Sequence, residues 1–214
     1  MIKHVWWDLD STLYKPNKVL DDARSRMLYQ EYARIMGKKL DANLIDEYKF
    51  LLQKSKSNSK LFHQLGKSFD YIDKLILEVP VEDFIQEQSV AVKLIRSLNK
   101  MGVKNSIYSN SPKAYVLKVI GLLGFRPSDF AYILSAKEAG HKKPDLGGFH
   151  KLIKISGILA EEILFVGDRL AVDILPAKKV GLRTAIVWSQ NKPRSADFAF
   201  KSISAMSKSL TWLE

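Results

Sequence analysis

The residues best suited to chemistry lie near the start of the chain, where a short apolar run ends in two carboxylates. Val5, Trp6 and Trp7 are β-branched or aromatic, as is typical of a buried strand. Asp8 and Asp10 follow it and would lie at its carboxyl end, where open parallel sheets bind ligands. Two carboxylates in one small space repel each other unless a cation neutralises them. The pattern indicates a site for a hard cation, most simply Mg²⁺, and a substrate with oxygen ligands. A turn or helix-capping pair of aspartates is the alternative.

Three further polar clusters follow apparent strand ends later in the chain. They are Ser109 with Asn110, Lys143 before Pro144, and Asp168 with Asp173. Each has a structural alternative, because Ser109 and Asp168 are typical capping residues and Lys143 could be a solvated loop lysine. The carboxyl ends of parallel strands meet at one edge of a sheet, so the order of the clusters predicts a single shared site.

The composition is that of an ordinary globular protein, with room for one sizeable domain or a core domain plus a smaller one. The chain has 214 residues, of which 46% are hydrophobic and 27% charged. No apolar run approaches transmembrane length, so we expect no membrane partner, and the N-terminus enters a strand without a signal peptide. The lack of cysteine excludes disulfides, thiolate metal sites and a cysteine nucleophile, and it favours a cytoplasmic location.

The net charge of +11 would suit nucleic acid, a membrane surface or small anionic substrates. The basic residues are scattered, however, and no interleaving of aromatic and basic residues typical of a nucleic-acid module occurs. We therefore expect a solvated basic surface and no nucleic-acid partner. The sequence predicts no particular oligomeric state.

Residues 15–88 carry only helical patterns. A first amphipathic helix ends at Gly37, Asp41 is placed to cap a second, and further helical patterns precede Pro80. The polar run 55–59 is predicted to be a loop between them. The segment is interpreted as a small all-helical domain inserted just after the first strand.

From Ser89 onward, helices and strands alternate, as is typical of α/β folds. Strands are predicted at 103–108, 130–134, 163–166, 182–188 and 197–200, and helices at 90–101, 112–123, 144–156, 171–179 and 203–213. With right-handed crossovers this alternation gives a doubly wound parallel sheet. The predicted Rossmann-like core therefore consists of residues 1–14 and 89–214.

The four clusters resemble the four motifs of the haloacid dehalogenase superfamily. Asp8-Leu9-Asp10-Ser11-Thr12 is similar to the first motif and Ser109-Asn110 to the second. Lys143-Pro144-Asp145 is similar to the third, and Gly167-Asp168 with Asp173 to the fourth. The resemblance covers residues 1–187, and residues 15–88 resemble the helical type of cap domain in this family.

The resemblance implies a phosphatase that works through an aspartyl-phosphate. Asp8 would attack phosphorus, which splits one difficult displacement into two easier ones. Asp10 would protonate the leaving oxygen and later deprotonate water. The superfamily's dehalogenases are expected to lack the second carboxylate, so Asp10 favours the phosphatase over the dehalogenase alternative.

The same resemblance implies a metal and a phosphate-binding set. Mg²⁺ would bind the carboxylates of Asp8 and Asp168 and the backbone carbonyl of Asp10. Asp173 would support the metal's waters or the lysine, and Thr12 would support the site. The phosphoryl oxygens would be bound by Ser109, Asn110 and Lys143.

The implied substrate is a small phosphate monoester: a sugar phosphate, phosphoglycolate, a nucleoside monophosphate or flavin mononucleotide. The cap is expected to select it, and its lysines Lys54, Lys56 and Lys60 either contact a distal anionic group or are solvated. Two departures from the family pattern, Ser11 in place of Gly or Asn and Leu146 in place of Pro, touch no reacting atom. The remaining alternative is a non-catalytic protein that uses its basic surface on nucleic acid.

Overall fold

The computed structural model describes residues 1–214 and is built around one parallel sheet. Its strands are β1 (His4–Trp7), β2 (Lys104–Ser109), β3 (Tyr132–Ser135), β4 (Ile163–Gly167), β5 (Arg183–Val187) and β6 (Phe198–Phe200). Their order across the sheet is β3-β2-β1-β4-β5-β6, and every neighbouring pair is parallel. The order reverses at β1, so the sheet is doubly wound, which confirms the predicted α/β class.

Strand β1 lies in the interior and is buried along its whole length. The indole N–H of Trp6 donates to Ser156 at 2.9 Å, and that of Trp7 donates to Asn105 at 3.0 Å. These bonds satisfy the polar atom of each large buried ring. Trp7 is in register with Ile107 of β2 and with Val166 of β4. The residue after Trp7 therefore emerges between the carboxyl ends of the two neighbouring strands.

The helical segment contains α1 (Lys18–Met36), α2 (Ala42–Ser55), α3 (Asn58–Gln64) and α4 (Tyr71–Leu77). Asp41 caps α2 as predicted, since its side chain accepts the Leu44 N–H at 2.8 Å. The core of this segment combines aliphatic and aromatic side chains, and the rings of Tyr32 and Tyr48 pack edge to face at 5.3 Å. The chain divides into two compact units, one formed by Met1–Pro16 with Ile85–Glu214 and the other by Asn17–Phe84.

The helices of the sheet-containing unit are α5 (Ser89–Lys100), α6 (Lys113–Leu122), α7 (Ala136–Ala139), α8 (Leu146–Ser156), α9 (Leu175–Lys179) and α10 (Ile203–Lys208). A π-helical turn at Leu170–Ile174 leads into α9. None of the helices is both long and apolar enough to span a lipid bilayer.

Several predicted boundaries are wrong. The loop predicted at 55–59 is shorter and consists of Lys56 and Ser57, because Ser55 ends α2 and Asn58 begins α3. Ser55 donates to Gln64, and Asn58 accepts from Tyr48, so both side chains join α2 to α3. The prediction of a longer loop assumed that all of these polar side chains are solvated.

Two further predicted helices are present with different boundaries, for local reasons. Pro144 does not open α8, since Asp145 is its N-cap and accepts the Gly147 N–H at 2.7 Å. The predicted terminal helix 203–213 breaks at Ser209, which is extended, and a 3₁₀ turn at Leu210–Leu213 follows.

Candidate active site

The four polar clusters meet at the carboxyl edge of the sheet, as the sequence predicts. Asp8 directly follows β1, Ser109 ends β2 and Asp168 directly follows β4, and these three strands are neighbours. Lys143 comes from the loop between α7 and α8, and Asp173 comes from the π-helical turn. Four segments that are distant in the chain thus supply one site.

Lys143 is the buried centre of the site. Its ammonium donates to Asp8 Oδ1 at 2.6 Å and to Asp173 Oδ1 at 2.7 Å, and none of its side chain is exposed. The rings of Tyr108 and Phe165 lie 5.5 and 5.3 Å from the same ammonium. Burial acts to lower the pKa of Lys143, but the charges of Asp173 and Asp8 outweigh it and the pKa is raised. Lys143 is therefore a permanent cation and not a solvated loop lysine.

Asp8 is buried among charges of both signs. Burial raises its pKa to about 6; the positive charge of Lys143 opposes this rise, and the negative charge of Asp173 adds to it. Thr12 donates its hydroxyl to Asp8 Oδ2 at 3.1 Å. The carboxylate is thus held by one donor on each oxygen, and at neutral pH it is predominantly ionised.

Asp168 does not cap a helix, which removes the structural alternative for this residue. Its Oδ1 is buried without a hydrogen bond, and the nearest cation, the Arg169 guanidinium, is 3.9 Å away. Burial, followed by the charges of Asp8 and Asp173, raises the pKa of Asp168 to about 7. An orphaned carboxylate oxygen of this kind has an unmet demand for a positive charge.

The carboxylates of Asp8, Asp168 and Asp173 each offer an oxygen within 4.8 Å of the others. All three donors are hard oxygens, which Mg²⁺ prefers. Together with the unpartnered oxygen of Asp168, this donor set fits the cation that the sequence predicts.

Asp173 mainly holds the ammonium of Lys143 in place. Its Oδ1 accepts from the lysine, its Oδ2 accepts the Arg169 N–H at 3.1 Å, and its side chain is fully buried. Gly167 makes this approach possible, because a Cβ at that position would lie 2.4 Å from the Cβ of Asp173. Of the two roles predicted for Asp173, support of the lysine is the one with direct contacts. The steric need for Gly167 is not visible in the sequence.

Asn110 holds the loop that carries Lys143. Its amide donates to the Lys143 carbonyl at 2.9 Å and accepts the Lys143 N–H at 2.7 Å. The side chain is therefore engaged with the backbone of Lys143, and its contact with a phosphoryl group stays a prediction. Ser109 Oγ accepts the Ser111 N–H at 3.1 Å, so it also stabilises the turn after β2.

Asp10 is surrounded by hydroxyl donors. Tyr14 and Tyr115 donate to its Oδ1 at 2.7 and 3.1 Å, and Ser111 donates to its Oδ2 at 2.8 Å. These three residues are missing from the predicted site. Tyr115 carries no signal in the sequence, because it is 105 positions from Asp10.

The loop after Asp8 is held in a strained backbone conformation. Ser11 has φ +60°, in the left-handed region where Gly or Asn is preferred, which explains the residue that the family usually places there. Trp188, just after β5, also has a positive φ of 59°, and its indole N–H donates to the Thr12 carbonyl at 3.1 Å. Trp188 is a fourth residue missing from the predicted site.

The acidic cluster and the buried lysine lie where the strand order of the doubly wound sheet reverses. This is the position at which the sequence predicts a hydrolase site. Residues 2–181 match the family model described as haloacid dehalogenase-like hydrolase. The chain belongs to this family, which confirms the resemblance found in the motifs.

Curated relatives agree with this assignment, and a solved structure shares the fold. The chain is 30% identical over 200 residues to a glyceraldehyde 3-phosphate phosphatase of Methanocaldococcus jannaschii, covering 86% of this chain and 84% of that protein. It is 27% identical to a protein of the same description from Pyrococcus furiosus, covering 87% and 80%. The fold is shared with a haloacid dehalogenase-type phosphatase of Thermococcus onnurineus, with a TM-score of 0.74, 21% identity and 97% of each chain covered.

Proposed function

We propose that this hydrolase is a Mg²⁺-dependent phosphatase of small metabolites that forms an aspartyl-phosphate on Asp8. As a member of a family in which its curated relatives are phosphatases, it is a phosphoric monoester hydrolase. The observation that carries the finer proposal is the buried Asp8 carboxylate, held by Lys143 and Thr12, with Asp10 two residues further along.

In the proposed first step, an oxygen of Asp8 bonds to phosphorus as the bond from phosphorus to the ester oxygen breaks. Asp10 gives its proton to the departing oxygen, a contribution typically worth about 10²–10⁴-fold in rate. In the second step, water attacks phosphorus, its proton passes to Asp10, and Asp8 and inorganic phosphate are released. Lys143 keeps its positive charge throughout and stabilises the carboxylate of Asp8 between turnovers.

Asp8 and Asp168 are the residues proposed to hold Mg²⁺, with the backbone carbonyl of Asp10 as a third ligand. When bound, the ion would neutralise negative charge on the carboxylates and on the transferring phosphoryl group. A halide leaves without a proton, so the position of Asp10 supports a phosphatase more than a dehalogenase.

The metal proposal predicts a thermal shift that depends on pH. Because the pKa of Asp168 is raised to about 7 in the folded chain, the folded state binds more protons than the unfolded state between about pH 4 and 7. The stability of the metal-free protein should therefore fall as pH rises through this range. Mg²⁺ at a hundredfold excess over its Kd should restore about 2.7 kcal/mol. Differential scanning fluorimetry at pH 5.5 and 8 should show the larger Mg²⁺ shift at pH 8.

Asp168→Asn should raise the melting temperature of the metal-free protein at pH 8 and lose most of the Mg²⁺ shift. Asp46→Asn is the matched control, since the side chain of Asp46 is 77% exposed in the helical unit. A full Mg²⁺ shift in Asp168→Asn would remove this residue from the ligand set.

For the substrate, we propose phosphate monoesters of short oxygenated carbon chains, with triose phosphates foremost. The relatives that cover more than four-fifths of this chain are described as glyceraldehyde 3-phosphate phosphatases. A phosphoglycolate phosphatase of Pseudomonas fluorescens matches only 42% of the chain and 32% of its own length, which gives weaker support.

The substrate proposal is tested by phosphate release from a panel of metabolites, with Asp8→Asn prepared in parallel to exclude a contaminating phosphatase. The panel contains glyceraldehyde 3-phosphate, phosphoglycolate, glucose 6-phosphate, a nucleoside monophosphate and flavin mononucleotide, each with and without Mg²⁺. We expect the highest kcat/KM for glyceraldehyde 3-phosphate. A clear preference for a nucleotide or for flavin mononucleotide would contradict the proposed class.

The helical unit is proposed to select the substrate, because none of the residues assigned to the reaction belongs to Asn17–Phe84. Lys54, Lys56 and Lys60 are all exposed, and the Lys54 ammonium lies 4.2 Å from the centre of the Phe50 ring. A contact between these lysines and substrate stays a prediction.

A further inference from the structure

Two buried phenols meet at one oxygen of the Asp10 carboxylate. The hydroxyl of Tyr14 lies 2.7 Å from Oδ1, and that of Tyr115 lies 3.1 Å from the same atom. Tyr14 is 4% exposed and Tyr115 is 1% exposed. Tyr14 comes from the segment after β1 and Tyr115 from α6, so two separate elements aim a hydroxyl at one point.

A core position gains nothing from a phenol in place of a phenyl ring unless its hydroxyl finds a partner. Burying an unbonded hydroxyl is destabilising, whereas a hydrogen bond to a carboxylate is stronger than one between neutral groups. Here that partner is the proposed acid and base. Ser111 holds the other oxygen at 2.8 Å, so donors from three elements fix the plane of the carboxylate.

We propose that Tyr14 and Tyr115 are positioning residues that hold Asp10 in the orientation required for proton transfer. The inference rests on the proposed function, since it assumes that Asp10 exchanges a proton with the leaving oxygen and with water. Both phenols donate to Asp10, so their effect should be confined to the steps that use Asp10.

This confinement predicts a dependence on the leaving group. A sugar-type alkoxide departs poorly without a proton, whereas an aryl oxide departs readily. A misplaced Asp10 should therefore slow alkyl phosphates at the first step. With p-nitrophenyl phosphate it should leave the first step nearly intact and slow the attack of water, which gives a burst of nitrophenol followed by slow turnover.

The experiment measures the kinetics of Tyr14→Phe, Tyr115→Phe and the double variant with two substrates. One is p-nitrophenyl phosphate, and the other is the alkyl phosphate from the metabolite panel that the wild type hydrolyses fastest. Part of the acid-base contribution should be lost, so kcat for the alkyl phosphate should fall about 10- to 100-fold in the double variant. The rate of the nitrophenol burst should change less than about threefold, KM should change little, and the Mg²⁺ thermal shift should be unchanged. Tyr132→Phe is the matched control, because Tyr132 is a partly exposed strand residue stacked on Trp6, outside the site.

The same substitutions in an Asp10→Asn background separate positioning from general structural damage. If the tyrosines act through Asp10, combining their substitutions with Asp10→Asn should cause no further loss of activity. The effects of the tyrosine and aspartate substitutions are then strongly non-additive. Effects that add fully, or that slow both ester classes equally, would overturn the inference, as would a double variant with wild-type rates. A wild type with no phosphatase activity would instead overturn the proposed function, and this inference with it.

Discussion

Replacing Asp8 by Asn is expected to lower kcat of the phosphatase reaction by roughly 10³-fold or more. The protein should remain at least as stable as the wild type. The amide keeps the shape of the side chain but cannot attack phosphorus. Stability should not fall, because burial raises the pKa of Asp8 to about 6 and its ionised form is therefore a cost to the folded state at pH 7. Phosphate release and thermal melting of the metal-free protein measure the two effects.

The control for Asp8→Asn is again Asp46→Asn, which makes the same chemical change at an exposed position. It should retain wild-type activity and stability. An Asp8→Asn protein that kept more than a few per cent of the activity would remove Asp8 as the nucleophile. A protein that unfolded would show that Asp8 is needed for the structure instead.

Replacing Lys143 by Met is expected to have the largest effect on stability. The lysine is the shared partner of Asp8 and Asp173, and its removal leaves two buried carboxylates without their cation. Breaking a buried ion pair from one side typically costs about 3–5 kcal/mol. The cost should be smaller at pH 5, below the pKa of about 6 of Asp8, and Mg²⁺ should recover part of it. Urea unfolding at pH 5 and 8, with and without Mg²⁺, tests these expectations.

The neighbouring Lys142→Met is a closely matched control, because Lys142 is exposed and Lys143 is buried. It should change the free energy of unfolding by less than about 0.5 kcal/mol. Equal effects of the two substitutions would contradict the assignment of Lys143 as the buried centre of the site. Full phosphatase activity in Lys143→Met would contradict its role in the reaction.

The sequence was sufficient to predict the parallel sheet and the groups around Asp8. Carboxylates that follow a buried strand must lie at its exposed carboxyl end. The parallel topology then brings the carboxyl ends of the other strands to the same edge of the sheet. Lys143 was placed in the site by its order in the chain, although nothing local distinguishes it from the exposed Lys142.

The partners of Asp10 could not be predicted in the same way. Tyr115 reaches it from α6, and a helical aromatic residue is more often only a core residue. The contact of Asn110 with Lys143 was missed because it depends on the path of a distant loop. The polar run 55–59 made the predicted loop too long, because Ser55 and Asn58 belong to the helices and bond between them.

The measurement that tests the central claim most directly is the mass of the protein during turnover. Asp10→Asn should form the aspartyl-phosphate from p-nitrophenyl phosphate and hydrolyse it slowly. Acid quenching followed by intact-protein mass spectrometry should show the added mass of one phosphoryl group. Peptide mapping should place that group on Asp8, and Asp8→Asn combined with Asp10→Asn should lack it. Mg²⁺-dependent release of phosphate by the wild type, with no phosphorylated protein in Asp10→Asn at any time point during its own turnover, would contradict the account.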